Sequence, residues 1–221
     1  MQPLVAPTSL PRARSRRRVA LGALVALLGA GFLWPSVLPA TVEEQRARLP
    51  PPPPPGQCPN PVEGVWKSLR WYPGNAAWYS FVLEIHMRGD RLVGRIDAYS
   101  WDTPRNQSEP GPCRAGLSHW VVSQTAEGSI RGLRLDFGGT RWAVAQVMCG
   151  PRPEGYNLDH FRGVIDTNLQ EFQSVNNDGG LQIDEPTVFR RIRCLEPESP
   201  PHPYVAPPNF QPPRRRTGCG R

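Results

Sequence analysis

Residues 174–185, which read SVNNDGGLQIDE, concentrate oxygen-bearing side chains in one short stretch. Calcium loops of the EF-hand type place oxygen ligands at positions 1, 3, 5, 7, 9 and 12, with a glycine at position 6. With Gly179 at position 6, the six ligand positions fall on Ser174, Asn176, Asp178, Gly180 through its carbonyl, Gln182 and Glu185. The spacing therefore predicts a Ca²⁺ site.

The same loop departs from the calcium pattern in two ways. Ser174 stands where an aspartate is expected, and Pro186 follows at once, which excludes the exiting helix of an EF-hand. A site here would be a loop between strands. The alternative is a hairpin turn at residues 177–180, because Asn, Asp and Gly supply positive φ without any ion. Both interpretations stay open at this point.

Acid–base chemistry is suggested by the neighbours Asp159 and His160. Adjacent residues of a strand point to opposite faces, so the two cannot act directly on one atom. We expect His160 to be an exposed sheet residue, and the same holds for His86 beside Glu84 and for His119. The sequence contains none of the common hydrolase, zinc-protease, phosphate-loop or dinucleotide motifs. An enzyme would need an acid with a shifted pKa in a cleft, and the candidates are Asp97, Asp136 and Asp159.

Alternating apolar and polar residues predict the elements that position these side chains. Residues 81–87 put Phe81, Leu83, Ile85 and Met87 on one face, and Gly89-Asp90 then turns the chain. Further strands are predicted at residues 92–99, 118–126, 129–137 (with Leu133, Leu135 and Phe137 inward), 141–149, 160–167, 171–175 and 187–194. The connecting turns are predicted at Glu127-Gly128 and Gly138-Gly139. No segment has convincing amphipathic helical periodicity. We therefore predict an all-β domain, a single antiparallel meander of about eight strands closed into a barrel.

The two ends of this domain carry a family resemblance. Gly64-Val65-Trp66 opens the first strand and Phe189-Arg190-Arg191-Ile192 closes the last. This arrangement resembles the lipocalin-like (calycin) up-and-down barrels, and the likeness covers residues 61–195. It implies a cup that binds a small apolar molecule. It also implies that Trp66 and either Arg190 or Arg191 close the base of the barrel in a structural role.

Five cysteines, at positions 58, 113, 149, 194 and 219, form no C-x-x-C pair. In an oxidising compartment such cysteines form disulfides. The first four allow three pairings. We favour Cys58 with Cys194, because these bracket the domain, which leaves Cys113 with Cys149. Cys219 is the odd cysteine, either free or joined to a second chain.

The N-terminal residues have the features of an export segment. Residues 1–18 contain five arginines and no acid, and Val19–Trp34 contains no charge. The uncharged run reaches Ala40, so residues 19–40 either anchor the chain in a membrane or are removed as a signal. We expect the rest to lie in the periplasm or outside the cell.

Proline divides the remaining chain. Residues 1–40 are the basic and hydrophobic signal or anchor, residues 41–60 a linker with a polyproline II rod at Pro50–Pro55, and residues 61–195 the β domain. Residues 196–221 are predicted to be a disordered Pro/Arg-rich tail.

The net charge of +7 comes from the two ends of the chain. The five arginines of residues 1–18 and the four of residues 214–221 account for +9, which leaves −2 for the rest. A basic binding face on the domain is therefore unsupported, and no specific nucleic-acid binding is expected.

Three function classes are compatible with these observations. The leading hypothesis is an exported, membrane-tethered module that binds a small molecule or an envelope polymer, marked by an aromatic-lined cavity. A structural or interaction protein would instead have a filled core. An envelope hydrolase or lyase would have the shifted acid described above.

Overall fold

The computed structural model describes residues 40–195, which form one helix and nine strands. These elements are α1 (Val42–Arg48), β1 (Gly64–Lys67), β2 (Arg70–Tyr72), β3 (Ala77–Arg88), β4 (Arg91–Trp101), β5 (His119–Arg131), β6 (Arg134–Cys149), β7 (His160–Asp166), β8 (Glu171–Asn176) and β9 (Glu185–Arg193). Consecutive strands from β3 to β9 pair antiparallel, and β1 pairs with both β9 and β3. Eight strands therefore close a barrel, and β2 adds to β3 alone. The predicted all-β fold with about eight strands is confirmed.

The alternation of the strands sends aromatic rings into the barrel. Five phenylalanines are fully buried in its centre: Phe81, Phe137, Phe161, Phe172 and Phe189. The ring of Phe161 meets Phe81 and Phe189 edge to face, with centroids 5.1 and 4.8 Å apart. Packed aromatic rings thus occupy the position where the family resemblance implies a cup.

Two predicted turns are wrong. Strands β5 and β6 run straight through Glu127-Gly128 and Gly138-Gly139, and the chain reverses at Gly132, whose φ is +61°. Leu133 consequently lies exposed in the turn and not inward. A Cβ on Gly128 would lie 2.0 Å from a carbonyl oxygen of the facing strand. This glycine therefore permits a close approach of two strands, which the sequence pattern does not distinguish from a turn.

Helix α1 was not predicted, because seven residues are too few to display a helical period. Its sequence signal is a capping box, in which Thr41 and Glu44 exchange side-chain and backbone hydrogen bonds. Gln45 is fully buried; its Oε1 accepts from the Val188 amide at 3.0 Å, and its Nε2 donates to the Pro186 carbonyl at 3.0 Å. The Gln45 side-chain amide thus makes the backbone hydrogen bonds that a neighbouring strand would make at residues 186–188 of β9, a part that β1 does not reach.

A second apolar cluster lies between α1 and the outer face of the barrel. Its largest members are Trp71, Trp78 and Trp101, and the Trp78 and Trp101 rings stack at 6.5 Å. Leu49 covers the cluster from the end of the helix, and the Arg48 guanidinium lies 5.2 Å from the Trp78 ring centroid. The residues after the helix also touch the barrel, since Gln170 donates to the carbonyl of Pro53 at 2.6 Å.

Two disulfides, Cys58–Cys194 and Cys113–Cys149, confirm the favoured pairing. Such bonds are typical of proteins in oxidising compartments. The export segment, the Pro/Arg-rich tail and Cys219 lie outside the described residues. Among residues 40–195, the structure contains no helix with the length and hydrophobicity that crossing a bilayer requires.

Candidate functional site

One end of the barrel, the base, is closed by Trp66 and Arg191. The Trp66 ring is fully buried, and its Nε1 donates to the Val62 carbonyl at 3.0 Å. The Arg191 guanidinium lies 4.7 Å from the ring centroid. It also donates to the carbonyls of Asn60, at 2.9 Å, and Pro61. A buried cation is thus held by a ring face and backbone oxygens.

The family resemblance implies that either Arg190 or Arg191 closes the base, and the structure distinguishes between them. Arg190 lies on the other face of β9, where it pairs with the buried carboxylate of Glu171 at 2.6 Å. Arg46 from α1 binds the second oxygen of that carboxylate at 2.8 Å. Arg191 is therefore the arginine at the base, where burial lowers the pKa of its guanidinium.

The opposite end, which we call the mouth, carries the long connections. At the base the strands are joined by short turns, at residues 89–90, 132–133 and 167–170. At the mouth they are joined by residues 102–118, 150–159 and 177–184. Long loops on a rigid barrel are where binding residues concentrate.

A buried carboxylate lies at the centre of the mouth. Asp159 is 1% exposed, and its Oδ2 accepts from the Tyr156 hydroxyl at 2.5 Å and from Gln124 Nε2 at 2.7 Å. Its Oδ1 accepts from Asn176 Nδ2 at 2.8 Å. These donors are neutral, and their hydrogen bonds offset only part of the lost hydration. Burial consequently raises the pKa of Asp159 to about 6.

The hydrogen bonds continue from this carboxylate to an ion pair. Asn176 Nδ2 also donates to Gln182 Oε1 at 2.9 Å, and that oxygen accepts from Arg70 Nη2 at 2.6 Å. Arg70 Nη1 pairs with Glu185 at 3.2 Å. Burial lowers the pKa of Arg70, and the Glu185 carboxylate opposes that shift. Side chains from four strands and two loops therefore form one network.

Of the six residues predicted as calcium ligands, Gln182 and Glu185 face the guanidinium of Arg70. Asn176 Oδ1 accepts from the His160 amide at 3.1 Å, and the Ser174 hydroxyl donates to the Thr187 carbonyl at 2.8 Å.

The remaining two ligand positions belong to a tight turn. Asp178 Oδ1 accepts from the amides of Gly180 and Gln182 at 2.7 and 2.9 Å, and Gly179 has φ +69°. These are the features of the turn alternative. Within residues 40–195, no group of three or more His, Cys, Asp or Glu side chains is placed to hold a metal ion. Calcium binding by this loop stays a prediction.

Beside the network, the mouth opens into a depression of about 290 Å³. Four aromatic side chains line it: Tyr72, Tyr79, Trp120 and Tyr156. The Tyr72 and Tyr79 rings are perpendicular at 6.2 Å, and so are the Trp120 and Tyr156 rings at 6.0 Å. Asp178 and the nearly buried Asp159 belong to the same lining.

A small depression of about 80 Å³ is also lined by an aromatic ring and a carboxylate, those of Trp101 and Asp102, whereas two larger depressions lack this chemistry. Those beside the polyproline run and the Cys58–Cys194 disulfide are wider, at about 630 and 430 Å³. Among the described residues that line them there is neither an aromatic ring nor a carboxylate. The mouth depression is therefore the candidate site.

The three histidines that were predicted to be exposed differ in how far they are buried. His160 lies outside the barrel, partly exposed, and bonds Asp136 through Nε2, whereas Asp159 points into the mouth. His86 is not exposed as predicted; it is buried and bonds Glu84 at 3.0 Å. Alternation predicts which face a side chain occupies but not how much its neighbours cover it. His119 is partly buried, which lowers the pKa of its ring.

Sequence reasoning missed several residues of the mouth, among them Arg70, Gln124 and Tyr156. A usable signal existed for Gln124, which takes an inward position between the buried residues Val122 and Ala126. A polar residue at an inward position needs a hydrogen-bond partner, so it marks a buried network. Tyr156 lies in a loop, where no periodicity applies.

A search of protein-family models, of curated proteins and of solved structures finds no match to this chain. A function for the mouth must be inferred from the chemistry of its own residues.

Proposed function

We propose that this chain is an exported binding module whose ligand occupies the aromatic depression at the mouth of the barrel. The observation that carries the proposal is the lining, in which four aromatic rings surround an opening with carboxylate and amide groups. Ligand sites commonly combine ring surfaces with a few placed polar groups. The ligand is a small molecule or one unit of an envelope polymer.

The barrel is proposed to be lipocalin-like, and the support is its base. A closed eight-stranded antiparallel barrel with Arg191 stacked on Trp66 matches the arrangement that the resemblance implies. Packed phenylalanine rings fill the barrel centre, so the proposal puts the ligand above that centre, at the mouth. Export is proposed from the N-terminal sequence and is supported by the two disulfides.

The test is a ligand titration followed by NMR on the ¹⁵N-labelled full chain, with both disulfides formed, in a polyoxyethylene detergent. Probes are soluble peptidoglycan fragments and neutral, cationic and anionic organic molecules. We expect at least one probe to shift the Trp120 indole signal and to leave the Trp66 signal in place. The Trp120→Ala variant should then lose that binding. A ligand that shifts Trp66, or that binds the variant equally well, would place the site elsewhere.

An envelope hydrolase or lyase is the second candidate, favoured by one observation. Asp159 is an acid with a pKa raised to about 6 that lines a depression, as general acid catalysis requires. Turnover of a probe by the wild type but not by Asp159→Asn would support an enzyme. Binding that survives without turnover supports the binding module.

A further inference from the structure

We propose that the mouth depression binds an organic cation, a substituted ammonium group held between aromatic rings and two carboxylates. The rings are those of Tyr72, Tyr79, Trp120 and Tyr156, and the carboxylates are Asp159 and Asp178. This inference rests on the proposed function, because it assumes that the mouth is the binding site.

The arrangement of the rings is the first support. Both aromatic pairs of the depression are perpendicular, with interplanar angles of 86°. Perpendicular rings offer π faces in more than one direction, as in the aromatic cages that bind methylated ammonium groups. The chain already places a cation on one of these rings, since the Arg70 guanidinium lies 5.5 Å from the Tyr72 centroid.

The charge of the lining is the second support. The described residues that line the depression include two aspartates and no lysine, arginine or histidine. The adjacent cation, Arg70, is paired with Glu185 at 3.2 Å. Asp178 accepts from backbone amides and Asp159 from neutral side chains. Neutral donors stabilise a carboxylate without cancelling its charge, so the lining is complementary to a cation.

The buried aspartate makes binding depend on pH. Asp159 faces the titratable groups of Tyr156 and Asp178, and the charge of Arg70 acts on it from β2. Burial raises the pKa of Tyr156 well above 10, so the phenol stays neutral. Asp159 ionises as the pH passes about 6. A bound cation favours the ionised carboxylate, so the affinity must rise with pH across this range.

The experiment uses choline as the cationic probe and 3,3-dimethyl-1-butanol as its neutral isostere. Each is titrated into the ¹⁵N-labelled full chain with both disulfides formed, and the Trp120 and Trp66 indole signals are followed. At pH 7.5 we expect choline to shift Trp120 with an affinity about tenfold above that of the isostere. Between pH 7.5 and pH 5 the choline affinity should fall about tenfold.

Two variants assign the effect to the carboxylates. Asp159→Asn should bind choline with the same affinity at both pH values, whereas Asp90→Asn, a change in the exposed β3–β4 turn, should retain the pH dependence. Asp178→Asn should weaken choline binding at pH 7.5 and keep the pH dependence. It also tests the charge argument if Asp159→Asn does not fold.

The outcomes separate this inference from the proposed function. If the isostere binds at Trp120 as tightly as choline, the mouth is a binding site, but the proposed preference for a cationic ligand is wrong. If choline binds without pH dependence, Asp159 is not a counter-charge. If no probe of any charge shifts Trp120, both proposals fall.

Discussion

The two ends of the barrel bury charge in different ways. At the base, the cation of Arg191 rests on Trp66 and donates to backbone carbonyls. At the mouth, the charges of Arg70 and Asp159 are linked through side-chain amides. Backbone oxygens cannot rotate independently of the chain, whereas side-chain amides can rotate and re-pair. The base is thus a structural closure, whereas we propose that the mouth responds to protons and ligands.

The largest expected effect comes from removing the ring at the base. Trp66→Ala should lower the free energy of unfolding by about 3–5 kcal/mol, because it leaves a cavity beneath a buried guanidinium. Trp120→Ala at the mouth, where the ring is only partly buried, should cost about 1 kcal/mol or less. Urea denaturation of both variants measures the difference. Equal losses would contradict the distinction between the two ends.

The next effect is the pH dependence of stability at the mouth. The pKa of Asp159 is about 6 in the folded state against 3.8 for an unperturbed aspartate, so the folded state binds more protons between these values. The contribution of this group to the free energy of unfolding must therefore fall as pH rises from about 4 to 6, by about 3 kcal/mol. Asp159→Asn should remove this fall and Asp90→Asn should keep it. Parallel curves for wild type and Asp159→Asn would show that the carboxylate is not buried in the folded chain.

A smaller effect is expected from changing the shape of the cation at the base. Arg191→Lys keeps the charge but loses the planar stack on Trp66, at a cost of about 2 kcal/mol. Arg190→Lys, on the neighbouring residue, can keep its ion pair with Glu171 and should cost less. Thermal unfolding of both variants provides the comparison. A greater loss of stability in Arg190→Lys than in Arg191→Lys would contradict the assignment of Arg191 as the arginine at the base.

The smallest effect concerns the mouth loop. Tyr72→Phe removes the hydroxyl that donates to the Leu181 carbonyl at 2.9 Å, an exposed contact worth about 0.5 kcal/mol. Global stability should barely change, but amide hydrogen exchange in residues 177–184 should accelerate. Unchanged exchange there would show that the loop is held by Gln182 and Asp178 alone.

Much of the barrel was predictable because its causes are local. Alternation at residues 81–87 reports directly which side chains point inward, and Phe81, Leu83 and Ile85 are fully buried. The pairing of Cys58 with Cys194 follows from their positions at the two ends of one domain.

The mouth was not predictable because its contacts depend on barrel closure. Arg70 meets Gln182 across 112 residues of chain, and Gln124 meets Asp159 across 35. The run at residues 174–185 drew attention to the right end of the barrel, since Asn176, Gln182 and Glu185 belong to the network. Their cationic partner, Arg70, lies on a strand of only three residues. No short-range spacing can indicate such a partner.

The Cys58–Cys194 disulfide has a mechanical consequence. It joins Cys58, six residues before the start of β1, to Cys194, directly after the end of β9, so it encloses every strand in one covalent loop. Tension applied between residues 40 and 195 would peel α1 from the barrel and then pass through the sulfur atoms. The strands between the two cysteines would carry no load. Under reducing conditions the same pull would unzip β1 from β9, because Val65 and Arg193 lie at the same end of this antiparallel pair, so resistance to force depends on oxidation.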